Sequence, residues 1–427
     1  MACHVYGVMG SQIQTMETTD MKFTRKGFLG LGGSCLFGMA FGAGQDKPME
    51  SPGKVMMGYD ETDLGQLDPT PWTPFSDKKV RVGIAGEGVC QFGSQFSYQT
   101  HPNAEVVACA ELDPAKLKLL QSRVKAKRTY ASCEAMIEAE AKAGTMDAVY
   151  IATDAPSHCR LAIMALRHGL HVVSAVPAIL GEDQLDLIPD LLAAAKASGK
   201  VYQMNETTAF RASCYAMRKI YEAGGFGDLG YTEGEYFHHG VGVSVGSYRG
   251  WRDGLPPQYY PTHSNGFYTC VTHRRFTEVT CHAVPAKGKG YPNNRYRNPF
   301  ASEVAYFKCA DGSSARMAVC YDMPCIDREA GRCWGQKGSF ENDRFQGDAA
   351  AIRGVKFLRP QLPPNVEGGG HGGSHGYLTD DFLRAIILNQ KPCVDIITAL
   401  DTTVSGIYAH RSAMKGGETL KIPEFSL

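Results

Sequence analysis

The sequence predicts an α/β protein: a doubly wound parallel sheet, followed by an α+β domain built on an open, largely antiparallel sheet. Three observations carry this. Strand-like and helix-like stretches alternate from Lys78 to Met204, the pattern of a parallel sheet with crossover helices. The stretch Lys79–Gln95, KVRVGIAGEGVCQFGSQ, opens on Val80, Val82 and Ile84, turns at Gly86-Glu87-Gly88 and continues as a helix. Beyond residue 205 the pattern changes to period-two stretches with hairpin signals, such as Asp311-Gly312 between 304–310 and 314–321.

The 79–95 stretch reads as the first βα unit of a dinucleotide-binding fold. Glycine at the turn lets the backbone approach a pyrophosphate, and the following helix N-terminus offers unpaired N–H groups and a favourable dipole. The G-x-G-x-x-G fingerprint is imperfect: its third position is Gln91, and the next glycine is Gly93. A second strand, 106–110, ends at Glu111, 25 residues after Gly86, where an acid can hold the ribose hydroxyls. The expected cofactor is NAD, because Glu111 would repel the 2′-phosphate of NADP. Expected cofactor contacts are Gly86, Gly88, Val89 and Glu111, with Thr153, Asp154, His158 and Pro177 after later strands.

The remaining elements follow in order. Helices are expected over about 115–125 and over 133–143, the second capped by Ser132. Residues 146–153 form a buried parallel strand that opens into Asp154-Ala155-Pro156-Ser157-His158, and a helix then runs to Gly169. Strand 171–176 precedes Pro177. Helix 183–198 is expected to kink at Pro189, and strand 201–204 closes the domain. In the second half, 229–239 alternates as a strand and Phe340 lies in another. Residues 363–373 form a glycine-dense loop. His375–Leu388 is a helix with Leu378, Phe382 and Ile386 on one face, and 399–413 is the last helix. The domains are a leader at 1–44, a linker at 45–77, a nucleotide domain at 78–204 and a substrate and oligomerisation domain at 205–427.

Composition narrows the partners. The chain has 44 basic and 44 acidic side chains and no long like-charge run, which argues against nucleic acid or an anionic membrane surface. Its 14 cysteines are scattered, and Cys320, Cys325 and Cys333 fit no common zinc spacing. Most read as small buried apolar residues, with room for one or two disulfides. No metal is expected, because nothing in their spacing requires His238, His239, His371 and His375 to converge with Asp380 or Asp381. Residues 21–29, MKFTRKGFL, precede a glycine-rich apolar run to about Ala43 and resemble a twin-arginine export signal, with Arg25-Lys26 in place of two arginines. A periplasmic location is therefore expected, with the cytoplasm as the alternative. Translation is expected to start at Met21, and Cys35 is a poor lipidation site. The apolar run is too short and glycine-rich for a transmembrane span.

Taken together, the GxG turn, Glu111, Ala152–His158 (ATDAPSH), the strand ending at Val176-Pro177 and the open sheet resemble the Gfo/Idh/MocA family of NAD(P)-dependent sugar oxidoreductases. The resemblance covers about Lys78 to the C-terminus. It implies a small-molecule carbohydrate substrate and a homo-oligomer formed through the open sheet. One departure matters: the family's Glu-Lys-Pro is here Ala175-Val176-Pro177, so the lysine that assists proton removal from a sugar hydroxyl is absent. Either the chain is a non-catalytic nucleotide-binding paralogue, or another group takes that role.

One branch, the NAD-dependent α-N-acetylgalactosaminidases, is similar in further segments. Ser174–Ala178 resembles their Ser-Glu-Val-Pro-Ala, with Ala175 at the glutamate. Tyr236–His239 resembles Tyr-x-x-His, Tyr260–His263 resembles Tyr-Pro-Thr-His, and His371-Gly372-Gly373 resembles Gly-His-Gly-Gly. Those enzymes oxidise a sugar hydroxyl with bound NAD, eliminate the aglycone, add water and return the hydride. The resemblance implies catalytic roles for Tyr236, His239, Tyr260 and His263, and a substrate contact for His371. Glu206 is a further carboxylate for the site. The aromatic loop with Trp251, Tyr259, Tyr260 and Tyr268 suits either a sugar wall or an oligomer contact. Tyr236 and His239 have odd spacing, so the chain must bend for both to meet one sugar. The function read from the sequence is an NAD-dependent oxidoreductase acting on a sugar or glycoside. The alternatives are a redox-neutral NAD-dependent glycosidase and the non-catalytic paralogue.

Overall fold

The structure, a computed structural model, describes residue 64 and residues 66–427 except 241–246, 288–290, 292 and 323–326. The signal-like segment, the linker up to residue 63 and Cys325 lie outside the described residues.

The first domain carries six strands: β1 (Val80–Ala85), β2 (Ala104–Ala110), β3 (Arg128–Tyr130), β4 (Ala148–Ile151), β5 (His171–Ser174) and β6 (Tyr202–Met204). Helices α1 (Phe92–Gln95), α2 (Pro114–Val124), α3 (Cys133–Ala143), α4 (His158–Arg167) and α5 (Ile188–Ser198) connect them. All strand pairs are parallel, in the order β3-β2-β1-β4-β5-β6. The order reverses between β1 and β4, so the loops after these two strands bound the crevice where such sheets bind ligands. Val82, Ile84 and all of β4 are buried, as expected of strands covered by helices on both faces. Ser132 caps α3, its Oγ accepting from the Ala135 amide at 3.2 Å. Pro189 does not kink a helix. A 3₁₀ turn over Glu182–Leu187 comes first, and Pro189 sits in the first turn of α5, where its missing N–H has no partner to lose. Strand β3 has only three residues, none fully buried, and left no apolar pattern to read.

The second domain adds α6 (Ala212–Glu222), β7 (Leu229–Phe237), α7 (Thr262–Thr272), β8 (Phe276–Pro285), β9 (Phe300–Cys309), β10 (Ser314–Cys320), β11 (Arg328–Gly335), β12 (Gly338–Glu341) and β13 (Arg344–Gly347). Helices α8 (Gly370–Gly373), α9 (His375–Ile387) and α10 (Ile396–Met414) follow, and β14 (Leu420–Lys421) is the last strand. The strands form one sheet, β13-β12-β11-β7-β10-β9-β8-β14, antiparallel except for β7 beside β10. The fold class expected from the sequence is the one observed. On one face Glu233 and Glu235 alternate outward and pair with Arg316, Arg328 and Arg332. The other face packs on α7 and α10.

Helix α7 is buried on every side. Two of its polar side chains are met by α10: Asn265 Nδ2 donates to the Thr402 carbonyl (3.1 Å) and to Ser405 Oγ (3.0 Å), and Thr269 meets Thr402 at 2.7 Å. The aromatic segment read as a loop is thereby corrected in part. Tyr268 lies inside α7 with no exposure, and Trp251, Tyr259 and Tyr260 are buried, not displayed. Among the described residues all eleven cysteines are free thiols, and no helix is long and apolar enough to cross a membrane.

Candidate active site

The glycine turn is built by close approach. Gly86 has φ +95°, and a Cβ there would lie 2.5 Å from the Ala152 carbonyl oxygen. The role of the third fingerprint glycine passes to Gly93, whose added Cβ would sit 2.1 Å from the Gly86 carbonyl oxygen. Gln91 enters α1 with φ 57°, and this left-handed step displaces the required glycine by two positions. The expected helix after the turn is a single turn of four residues. Glu111 caps the glycine turn: Oε2 accepts from the amides of Glu87 (2.8 Å) and Gly88 (3.4 Å), and Oε1 from those of Leu112 (2.7 Å) and Asp113 (3.3 Å). Glu87 is buried beneath the turn and neutralised by Arg123 Nη1 at 2.5 Å, with Ser94 Oγ also donating at 2.9 Å. Sequence reasoning missed this pair, because 36 residues separate its members.

A cleft of about 550 Å³ runs from this turn across the domain boundary. Gly86, Gly88, Val89 and Glu111 line it together with Thr153, Asp154, His158, Ala175, Val176, Trp251, Arg252 and Tyr260. The residues fit a dinucleotide: a glycine cradle, a carboxylate at the carboxyl end of β2, and a volume in the range of cofactor sites. His158 is buried and holds two loops together, its Nδ1 2.9 Å from the Pro177 carbonyl oxygen and its Nε2 3.2 Å from that of Thr153. Thr153 Oγ1 meets Ser157 Oγ at 2.7 Å. Pro177 follows a cis bond to Val176.

Behind Tyr260 lies a buried polar group. His263, in the first turn of α7, places Nδ1 2.8 Å from Glu206 Oε1. The same oxygen accepts the Thr208 amide at 2.8 Å, while Oε2 is buried without a hydrogen-bond partner. Burial works against charge on both groups, but each partner outweighs it. Glu206 holds the His263 pKa above its ordinary value, and His263 holds Glu206 below the usual carboxylate range. The rings of Tyr236 and Tyr260 lie 4.7 and 5.5 Å from that of His263, and His371 stacks at 5.9 Å. His371 Nδ1 meets His375 Nε2 at 3.0 Å. Burial pushes the two down to about 3 and about 4, so both are neutral at pH 7. His239 stands apart: it is exposed just beyond β7, and its amide donates to Asp327 Oδ1 at 3.3 Å. The structure thus brings Glu206, Tyr236, Tyr260, His263 and His371 together and leaves His239 outside. Sequence reasoning missed Arg252, whose one signal was its place in the aromatic loop. Among the described residues, no three His, Cys, Asp or Glu side chains stand together as metal ligands.

The parallel sheet, the glycine turn and the carboxylate that caps it define a Rossmann-type nucleotide-binding architecture. Residues 80–206 match the model of the Gfo/Idh/MocA oxidoreductase family, described as having an NAD-binding Rossmann fold. Glycosyl hydrolase family 109 protein 1 of Bacteroides fragilis is 28% identical over 198 residues, which are 45% of this chain and 41% of that protein. A family 109 protein of Saccharopolyspora erythraea is 22% identical over 318 residues, 66% of this chain and 68% of the relative. The chain thus spans about two fifths (41%) of the length of the Bacteroides relative. Among solved structures, myo-inositol 2-dehydrogenase from Lactobacillus plantarum matches with TM-score 0.60 and 16% identity, covering 81% of this chain and all (100%) of that one. Scyllo-inositol dehydrogenase from Lactobacillus casei, solved with NAD(H) and scyllo-inositol, matches with TM-score 0.62 and 14% identity over 81% of this chain and 99% of its own. These likenesses show the shared fold.

Proposed function

We propose that the chain is an NAD-dependent oxidoreductase that acts on a sugar or glycoside by moving hydride to and from a sugar carbon. The observation that carries this is the buried Glu206–His263 pair standing behind Tyr260 on the wall of the nucleotide cleft. Bound NAD supplies the hydride acceptor. The chain's own task is the proton of the sugar hydroxyl. Val176 has no amine to take it. Tyr260 lines the cleft, but burial raises its pKa, so it is neutral at pH 7 and is a poor base by itself. His263 holds the proton, its Nδ1 fixed on Glu206 so that Nε2 is the exchanging nitrogen. The name of the family 109 relatives favours a second reading on the same residues, a glycosidase in which the hydride returns after the aglycone leaves. A glycoside panel assayed for both NADH appearance and aglycone release tests these readings. Net NADH indicates a dehydrogenase, and aglycone release without net NADH indicates the redox-neutral route. Cofactor-loaded protein that turns over no glycoside supports the non-catalytic paralogue instead.

NAD is expected to bind more tightly than NADP. Glu111 lies at the carboxyl end of β2, where a carboxylate would accept from a 2′-hydroxyl and repel a 2′-phosphate. Titration of the cofactor-free protein with both nucleotides checks this, and equal or tighter NADP binding would overturn it.

Export is proposed to follow the folded route, since the cofactor must be loaded in the cytosol. The motif Thr24-Arg25-Lys26-Gly27-Phe28-Leu29 supports this. Arg25→Ala is expected to strand the protein in the cytoplasm, as fractionation will show; an unchanged periplasmic share argues against the signal.

A further inference from the structure

Arg252 lines the cleft together with the glycine turn and Tyr260. Its guanidinium carbon lies 4.3 Å from the ring centroid of Trp251 and 5.1 Å from that of Tyr260. Its guanidinium also meets the hydroxyl of Tyr260, a neutral partner, whereas Arg218 and Arg316 find carbonyl and carboxylate oxygens. Arg218 donates to the Ala209 and Cys270 carbonyls, and Arg316 holds Glu233 and Glu235. Among the described residues Arg252 forms no ion pair, and the neighbouring stretch 241–246 reads VGVSVG, without an acid. Aromatic faces offset part of the cost of holding a guanidinium out of water, but an anion offsets more.

The surroundings point the same way. Stretches 247–252 and 293–300 contain Arg249, Arg252, Arg295 and Arg297 and no acid; Asp253 is the first acid beyond them. Arg249, Arg295 and Arg297 are exposed and, among the described residues, form no ion pair. Arg295 Nη1 reaches the Arg249 carbonyl at 3.5 Å, which ties the two stretches together. In a chain of zero formal charge, this local excess raises the concentration of anions at the cleft.

We propose that Arg252 binds an anionic group, a carboxylate, sulfate or phosphate, of the ligand in this cleft, and that the substrate is an acidic carbohydrate. The proposal rests on the reading of the cleft as a sugar site. The cofactor's diphosphate carries the same chemistry; the exposed arginines next in chain to Tyr248 and Tyr296, beside the cleft-lining Tyr248 and Trp251, favour the substrate as the source. Binding is measured without turnover, so this proposal and the assigned reaction fail separately.

Full-length wild type, Arg252→Gln and Arg252→Lys are loaded with NAD and titrated calorimetrically with D-glucuronate, D-galacturonate, their neutral parent sugars and inorganic sulfate. The cofactor-free proteins are titrated with NAD. Wild type is expected to bind at least one of the acids about tenfold more tightly than its neutral counterpart. Arg252→Gln should lose this preference, Arg252→Lys should keep part of it, and NAD affinity should stay within about twofold. If Arg252→Gln instead loses NAD affinity and keeps the acid preference, the anion is the cofactor's diphosphate and the acidic substrate is ruled out. If Arg252→Gln, folded by its thermal transition, changes neither, Arg252 binds no anion and the proposal falls.

Discussion

His263→Ala is expected to lower turnover by about 10²-fold or more on any glycoside the panel identifies, the usual contribution of acid–base catalysis. NAD affinity should survive, because His263 does not line the nucleotide cleft. The companion variant Glu206→Gln reports how the pair works. In the wild type the Glu206 carboxylate outweighs burial and holds His263 above its ordinary value of about 6.5. The neutral, proton-accepting form is then populated only above that pH, so the acid limb of kcat/KM should lie above about pH 6.5. Glutamine keeps the shape and removes the larger raising cause. Burial and Arg211 then lower the His263 pKa against the weaker raising effect of Glu329, and the limb should move to lower pH while kcat falls. A pH–rate profile checks the sign. An unmoved limb, or near-normal turnover in His263→Ala, would mean that the proton is handled elsewhere. His239 has no part in this expectation, since it stands exposed beyond the end of β7.

Gly93→Ala is expected to damage the nucleotide domain severely. The new Cβ would meet the Gly86 carbonyl oxygen at 2.1 Å, and that carbonyl cannot retreat. The Gly86 amide is tied to the Ala110 carbonyl at 2.8 Å, and its Cα already lies against Ala152. Helix α1 must therefore move away from the turn. Overpacking of this kind costs about 1–3 kcal/mol, occasionally more, and it displaces the turn that lines the cleft. Both the thermal midpoint and NAD affinity should fall, the latter by about tenfold or more, since a tenfold change corresponds to only about 1.4 kcal/mol. Calorimetry and NAD titration decide it. A variant with wild-type affinity would show that the Gly86–Gly93 contact does not shape the cofactor site.

The sequence by itself determined the parts that local pattern controls. Val80, Val82 and Ile84 before Gly86-Glu87-Gly88 marked β1 and its turn, because a buried parallel strand needs apolar side chains and a backbone close to a ligand needs glycine. Asp311-Gly312 marked the β9–β10 hairpin for a similar reason: Gly312 takes φ 87°. Resemblance brought Tyr236, Tyr260 and His263 onto one list but gave them no geometry. Only the tertiary structure paired Glu206 with His263 across 57 residues, set Arg123 against Glu87, and moved the duty of the third glycine to Gly93. It also turned 262–272 into a helix wholly inside the protein. A helix surrounded on all sides needs no polar face and leaves no amphipathic period to read. The same holds for Arg252. Its type and neighbours are local, but whether a guanidinium finds a carboxylate depends on which distant strands and loops fold around it, and that is decided by packing.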